Sequence, residues 1–294
     1  MNSLFNEGGG VSAKSKNNLT INKKVSVYLN KMKEEFIRFS KMNEEKNVRY
    51  LDRLLFYNRI GYLYYKISYT LKEAYAREYS YIVSVCDYIN KQAIAEGYIP
   101  VFVTLTLPSR FHPTTTKNGK RTFNPNFEFS LDEYIKKGYE ALYYAFRVIM
   151  KNLTRGNKQK GIKLPYFRVV EMHKDFTPHF HIVFFLPGEL SDFFDKLVYL
   201  CETIAELITE DVLGEQFKVE ILRDVRKGAA YVSKYLRKAY LAKNEEDIYL
   251  LDGWRKLNKI RMFTHSQTYL KKADFIKILP DFIEHEEPLI KDSL

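Results

Sequence analysis

Two runs rich in β-branched and aromatic residues, Tyr166-Phe-Arg-Val-Val-Glu-Met-His173 and Phe180 to Leu186, are separated by little more than the turn-forming segment Lys174 to Pro178. Runs of this kind, joined by so short a connection, predict a β-hairpin. Alternation along a strand puts residues two apart on one face, so His179 and His181 point one way while Phe180 and Ile182 point the other. With Glu171 paired across to His181 and His173 to His179, four polar side chains share one face of the sheet.

A carboxylate and two or three neutral imidazoles suit a divalent cation with positions left open for substrate. Mg2+ or Mn2+ acting as a Lewis acid fits this set at least as well as structural zinc, which favours sulfur. The two cysteines, Cys86 and Cys201, are far from the hairpin in sequence. A lone His-x-His is most simply a hydrogen-bonded pair at a sheet edge, but three histidines and a glutamate at matched parity favour the ion. His179 and His181 are therefore the expected metal ligands, with Glu171 third and His173 a ligand or its support.

A second segment supplies a nucleophile. Gly228-Ala-Ala-Tyr231-Val-Ser-Lys234-Tyr235-Leu-Arg237-Lys238 has helical spacing, with Tyr231 and Tyr235 one turn apart and Lys234 and Lys238 beside them. A phenol can attack covalently when a metal and nearby cations bind the charge that develops on the attacked group. The spacing alone is common: among 23 tyrosines it recurs at Tyr65/Tyr69, Tyr75/Tyr79 and Tyr139/Tyr143, pairs best read as core aromatics of amphipathic helices. Interleaved basic residues and the small residues Gly228 to Ala230 set Tyr231 and Tyr235 apart.

This ordered combination resembles the HUH endonucleases, and specifically the two-tyrosine replication initiators of the phage replication gene A protein type. Phe102-Val-Thr-Leu-Thr-Leu-Pro-Ser-Arg-Phe-His-Pro113 is similar to that family's first motif and Glu171-Met-His-Lys-Asp-Phe-Thr-Pro-His-Phe-His181 to its second, with Phe176 where the family usually has glycine. Trp254 with Ile260-Arg-Met-Phe263 resembles a less specific element after the tyrosines, so the resemblance covers roughly residues 99–265. It implies a nickase for single-stranded DNA that forms a 5′-phosphotyrosine ester and releases a 3′-hydroxyl to prime rolling-circle replication. It further implies Tyr235 as first nucleophile, with Tyr231 for the second strand transfer; Lys234, directly before Tyr235, is read either as the cation that stabilises the phenolate or the departing oxygen or as a phosphate contact. The implied substrate is single-stranded DNA at a replication origin, hairpin origins included.

The balance of 47 Lys and Arg against 36 acidic residues, a net charge of +11, agrees with a phosphate-bearing partner. Candidate DNA contacts are Lys238, Arg237, Arg110, Lys120 and Arg121, the last two in a basic loop with Lys117 that a solubilising role would explain equally well. His112 is read as a solvated loop residue or a DNA contact. No Gly-x-x-x-x-Gly-Lys-Ser/Thr loop occurs, so unwinding calls for a host helicase as partner. A polar N-terminus, no apolar stretch of membrane-spanning length and two widely separated cysteines suit a reducing cytoplasm, which the resemblance implies is that of a prokaryotic host.

The expected organisation is a disordered polar segment over 1–21, a helical region over 22–98, the endonuclease domain over 99–242 and a helical extension over 243–294. Within the domain, strand 99–107, helix 130–154, strands 165–172 and 179–186, helix 189–211, strand 216–222 and the tyrosine helix follow in turn. That β-α-β-β-α-β order predicts an α+β, ferredoxin-like or RRM-like antiparallel sheet, with helices on one face and the polar residues, Thr104 and Thr106 included, on the other. Two further readings stand beside the replication nickase: a two-tyrosine transposase or relaxase with the same catalytic parts, and a non-catalytic RRM-like nucleic-acid-binding module.

Overall fold

The structure is a computed structural model that describes residues 13–52, 69–117, 119–158, 164–188, 191–209, 217–221, 234, 236, 237, 240–242 and 244–266. Its elements are α1 (Ala13–Asp52), α2 (Leu71–Ala95), β1 (Tyr98–Leu105), β2 (Thr114–Lys117), β3 (Lys120–Phe123), α3 (Tyr134–Lys158), β4 (Tyr166–Met172), β5 (Pro178–Pro187), α4 (Ser191–Thr209), β6 (Phe217–Ile221), α5 (Glu245–Leu257) and β7 (Phe263–His265). β1, α3, β4, β5, α4 and β6 form the expected β-α-β-β-α-β series. The strands lie in the order β6-β1-β5-β4-β7 with every neighbour antiparallel, which is the ferredoxin-like arrangement extended by one edge strand. The fold is therefore α+β. Among the described residues no helix is long and apolar enough to cross a membrane.

The central strand shows why the chain folds this way. Every residue from Phe180 to Leu186 is buried, so β5 is covered on both faces, and its near-continuous apolar run is the sequence mark of that burial. On one face lies α3, whose Leu142, Ala145, Phe146, Ile149 and Leu153 recur at helical spacing and are all buried. Its Phe146 ring lies 6.5 Å from Phe184 and its Tyr139 ring 5.7 Å from Phe180. Helix α2 starts at a capping pair, Thr70 Oγ1 accepting from the Glu73 amide at 3.2 Å, and is followed by Gly97 at φ +79° immediately before β1.

Several expectations change. Glu171 stands opposite His179 and Val169 opposite His181, so the hairpin register is displaced by two residues from the expected pairing of Glu171 with His181. His173 is not a strand residue; its amide donates to the Thr177 carbonyl at 2.9 Å and closes the turn, and Thr106 lies beyond the end of β1. The face that carries the histidines is not open along its length, because α2 packs on β1 and Phe102, Phe167 and Val183 are buried there. The basic loop is a hairpin of β2 and β3, turned at Gly119 with φ +73°. Helix α1 already runs from Ala13, where the glycine-rich stretch has ended and nothing interrupts helical propensity. The region after 243 contributes a strand as well as a helix, since β7 pairs with β4.

Helices α1, α2 and α5 are bound by buried Asp252, which accepts from Ser40 Oγ at 2.7 Å and Tyr75 OH at 3.0 Å and pairs with Lys256 at 2.8 Å. One helical turn is packed so closely that a Cβ added at Gly253 would lie 1.9 Å from the Phe36 carbonyl oxygen. Gly253→Ala should therefore force α1 and α5 apart and cost about 1–3 kcal/mol, the range for overpacking a filled core. Thermal unfolding checks this: a melting temperature several degrees lower is expected, and an unchanged one would contradict the contact.

Candidate metal centre

Local chemistry shapes the turn between β4 and β5. Asp175 Oδ1 accepts from the Thr177 amide at 3.3 Å, an Asx turn, and the following Phe176 takes φ +68°. That left-handed conformation is one glycine adopts without strain, which accounts for glycine being usual at this place in the resembling family. Phenylalanine holds it because its ring is buried edge-on to Phe36 at 5.5 Å and its carbonyl accepts from Trp254 Nε1 at 2.9 Å. The less specific element around Trp254 is thereby joined directly to the histidine turn.

The Asp175 carboxylate collects two imidazoles. His112 Nδ1 donates to Oδ2 at 3.0 Å and His173 Nδ1 to Oδ1 at 3.2 Å. Burial opposes the charge of Asp175, but the hydrogen bonds from His112 and His173 outweigh it and hold the carboxyl well below its usual range. Donation from Nδ1 leaves the other nitrogen of a neutral His173, on a half-exposed side chain, with a lone pair to offer. The second nitrogen of His112 faces the Leu107 carbonyl at 3.2 Å, so this ring anchors the loop after β1 to the turn. His112, His173 and Asp175 have ligand atoms within 4.8 Å of one another and could hold a cation. His112 is thus no solvated loop residue. Its signal in the sequence was an aspartate in the turn with two more acceptor positions than its own loop uses.

The strand residues stand beside this cluster. Thr104, Glu171, His179 and His181 share one face, as their registers require. His181 is buried, with Nε2 2.7 Å from Glu171 Oε2 and Nδ1 3.3 Å from Thr104 Oγ1. Ligand bonds of about 2.0–2.2 Å place two donor atoms of a common cation roughly 3 Å apart, so the Glu171–His181 pair already has nearly the separation an ion needs. The His179 ring stacks on His173 at 4.8 Å, and its Nε2 is buried with no hydrogen-bond partner. Burial first, then the neighbouring His173, His112 and His181, push the His179 pKa down to about 3, leaving the neutral form that a metal requires. An orphaned buried nitrogen beside a carboxylate–imidazole pair fits a divalent cation.

Of the candidate DNA contacts, Lys120 and Arg121 are exposed on β3, and Arg121 Nη1 reaches the Lys174 carbonyl at 3.5 Å, which sets the basic hairpin against the histidine turn. Arg110 lies 3.8 Å from Glu128 with its guanidinium over the Phe111 ring. Lys234 and Arg237 are exposed, while Leu236 and Tyr240 are buried. Tyr231, Tyr235 and Lys238 lie outside the described residues.

The model of the bacteriophage replication gene A protein family matches residues 13–243. Among curated relatives, the replication gene A protein of Escherichia phage P2 is 27% identical over 169 residues, covering 56% of this chain and 21% of the relative. A probable replication endonuclease from a prophage-like region of Escherichia coli O6:H1 is 30% identical over 154 residues, covering 50% and 18%. A probable replication protein of Pseudoalteromonas phage PM2 is 26% identical over 229 residues, covering 74% and 32%. The chain thus spans about a fifth to a third of the length of these relatives. No solved structure matches it. A family match across most of the chain, with the histidine hairpin inside it, establishes the kinship: this chain belongs to the bacteriophage replication gene A protein family.

Proposed function

We propose that the chain is a metal-dependent nickase of single-stranded DNA that initiates rolling-circle replication at a phage or prophage origin. One observation carries the reading: the buried, partnerless Nε2 of His179 stands on the same sheet face as the Glu171–His181 pair, in a chain of the replication gene A family. The endonuclease name of the Escherichia coli relative supports the reaction class. His179, His181 and Glu171 would hold Mg2+ or Mn2+, with His173 as a further ligand or support, kept in one tautomer by Asp175. The ion, when bound, supplies Lewis acidity that polarises the scissile phosphate.

The protein's own groups do the rest. A phenol has a reference pKa of about 10 and is a poor nucleophile near neutrality. In the proposed step the Tyr235 phenol gives its proton to solvent and its oxygen bonds to phosphorus; the bond to the 3′-oxygen breaks, and that oxygen takes a proton from solvent and leaves as a hydroxyl. Lys234, exposed in the structure, stabilises either the phenolate or the leaving oxygen. Tyr231 performs the second transfer, which rejoins the strand as a circle. The β2–β3 hairpin, Lys120 and Arg121 in particular, holds DNA phosphates beside the turn, with Arg110, Arg237 and Lys238 as further contacts. A host helicase opens the duplex.

His179→Ala or His181→Ala should abolish cleavage of single strands and leave DNA binding nearly unchanged, since phosphate contacts come from Lys and Arg. Cleavage at full rate in EDTA would refute the metal role. Tyr235→Phe should cripple the first nick, Tyr231→Phe should impair circle release more than nicking, and the double change should eliminate covalent adducts. Mass spectrometry of the trapped complex decides: a DNA-linked peptide containing neither tyrosine would overturn the assignment. Binding should also weaken steeply between low and physiological salt through counterion release, measured by fluorescence anisotropy.

A further inference from the structure

Helix α3 presents two different faces. Its apolar side is buried against the sheet, while Lys136, Lys137, Tyr144, Arg147, Lys151 and Arg155 are all exposed on the other side. At 3.6 residues per turn these six positions fall within about a third of the circumference, so they form one ridge rather than scattered charges. From Lys136 to Arg155 the ridge is about 28 Å long. Glu140, the only acidic residue of α3, lies 3.9 Å from Lys137. Lys136, Arg147, Lys151 and Arg155 have no carboxylate partner among the described residues.

Tyr144 stands in the middle of these cations. It is 58% exposed and makes no hydrogen bond or ring contact among the described residues. Tyr143 beside it is committed elsewhere: its ring stacks on Tyr139 at 6.2 Å and faces the Arg147 and Arg168 guanidiniums at 6.0 and 5.5 Å. The ring open to a visitor on this ridge is therefore that of Tyr144.

One end of the ridge is fixed to the candidate metal centre. Tyr134 OH donates to the Asp175 carbonyl at 2.5 Å, and a Cβ added at Gly138 would lie 2.5 Å from Leu107 and 3.5 Å from Pro178. The Tyr139 ring meets Phe180 and the Phe146 ring meets Phe184, so α3 runs from the histidine end of β5 towards its far end. A strand that passes from the histidine turn over that end of the sheet meets Lys136 first and has the remaining cations ahead of it. Cations spaced along a helix with an uncovered ring among them suit an unpaired strand, whose phosphates the cations take and whose base the ring stacks on. A duplex hides its base faces and an acidic protein has none, so either would use the cations and leave the ring idle.

We infer that the outward face of α3 is a tract for single-stranded DNA beyond the cut site: Lys136, Arg147, Lys151 and Arg155 hold successive phosphates and Tyr144 stacks on a base. At about 3.4 Å per nucleotide of a stacked strand the tract covers roughly eight nucleotides, and fewer of a stretched one. The inference rests on the nickase reading for the strand it holds.

The test uses the full chain with thymidine oligonucleotides of about 30 nucleotides, read by fluorescence anisotropy over a range of salt. Tyr144→Ala should weaken binding about tenfold. Arg147→Gln combined with Lys151→Gln and Arg155→Gln should reduce the slope of log affinity against log salt by about two, at roughly 0.7 per phosphate contact of a single strand. All four replaced side chains are exposed, so the melting temperature should hold. Independently of any variant, the wild-type chain photocrosslinked to single strands carrying 5-iodouracil should yield an adduct in the peptide that contains Tyr144, mapped by mass spectrometry. Unchanged affinity and slope, an equal loss of affinity for a duplex of the same length, or adducts confined to other segments would overturn the tract and leave the nickase reading intact. A wild-type chain that neither binds nor cuts single strands would overturn both.

Discussion

The conformation of the five-residue connection between β4 and β5 is the constraint on which the rest depends. Asp175 uses its side chain to hold His112, His173 and the Thr177 amide, and its carbonyl to accept from Tyr134 OH at 2.5 Å. Phe176 adds the Trp254 hydrogen bond and the Phe36 ring contact. Through these two residues the turn touches the loop after β1, the start of α3, helix α5 and helix α1. A charge buried so deeply is costly unless every lone pair is used, and here the use of those lone pairs also positions two imidazoles. The strain of a phenylalanine at positive φ, of order 1–3 kcal/mol, is offset by burial of its ring.

The opposite face of the sheet holds a second buried charge with different partners. Arg168 is fully buried on β4, its guanidinium 4.3 Å from the Phe180 ring centroid, 4.8 Å from Phe146 and 5.5 Å from Tyr143. Burial lowers its pKa from the usual value, while Tyr139, Tyr166 and Tyr143 oppose that shift. Aromatic faces supply the electrostatic compensation that a carboxylate would otherwise give. The cation fastens α3 to the sheet behind the histidines, so both layers that define the candidate centre are held by buried charges.

Much of this was legible from residues in order. The hairpin, the central apolar strand, the βαββαβ series and the shared face of Glu171, His179 and His181 all follow from period-2 and period-3.6 patterns. The expected register was wrong by two residues, yet face membership survived, because only an odd slip moves a strand's side chains to the other face. The true pairing is set by how tightly the turn closes, and that depended on Phe176 accepting a left-handed conformation. The β2–β3 hairpin and β7 were missed because four and three residues carry too little periodicity to register as strands.

Sequence alone determined the donor types available, their parity on the strands, the basic balance and the tyrosine-lysine segment, since these are properties of neighbours along the chain. Tertiary structure decided which donors meet. His112 joins the cluster from a loop 63 residues before Asp175, and Trp254 reaches the turn from 78 residues beyond Phe176. It also decided that His179 keeps a buried nitrogen without a partner. Such contacts are chosen by the packing of distant segments against one another, so a reading of local period and propensity leaves them open.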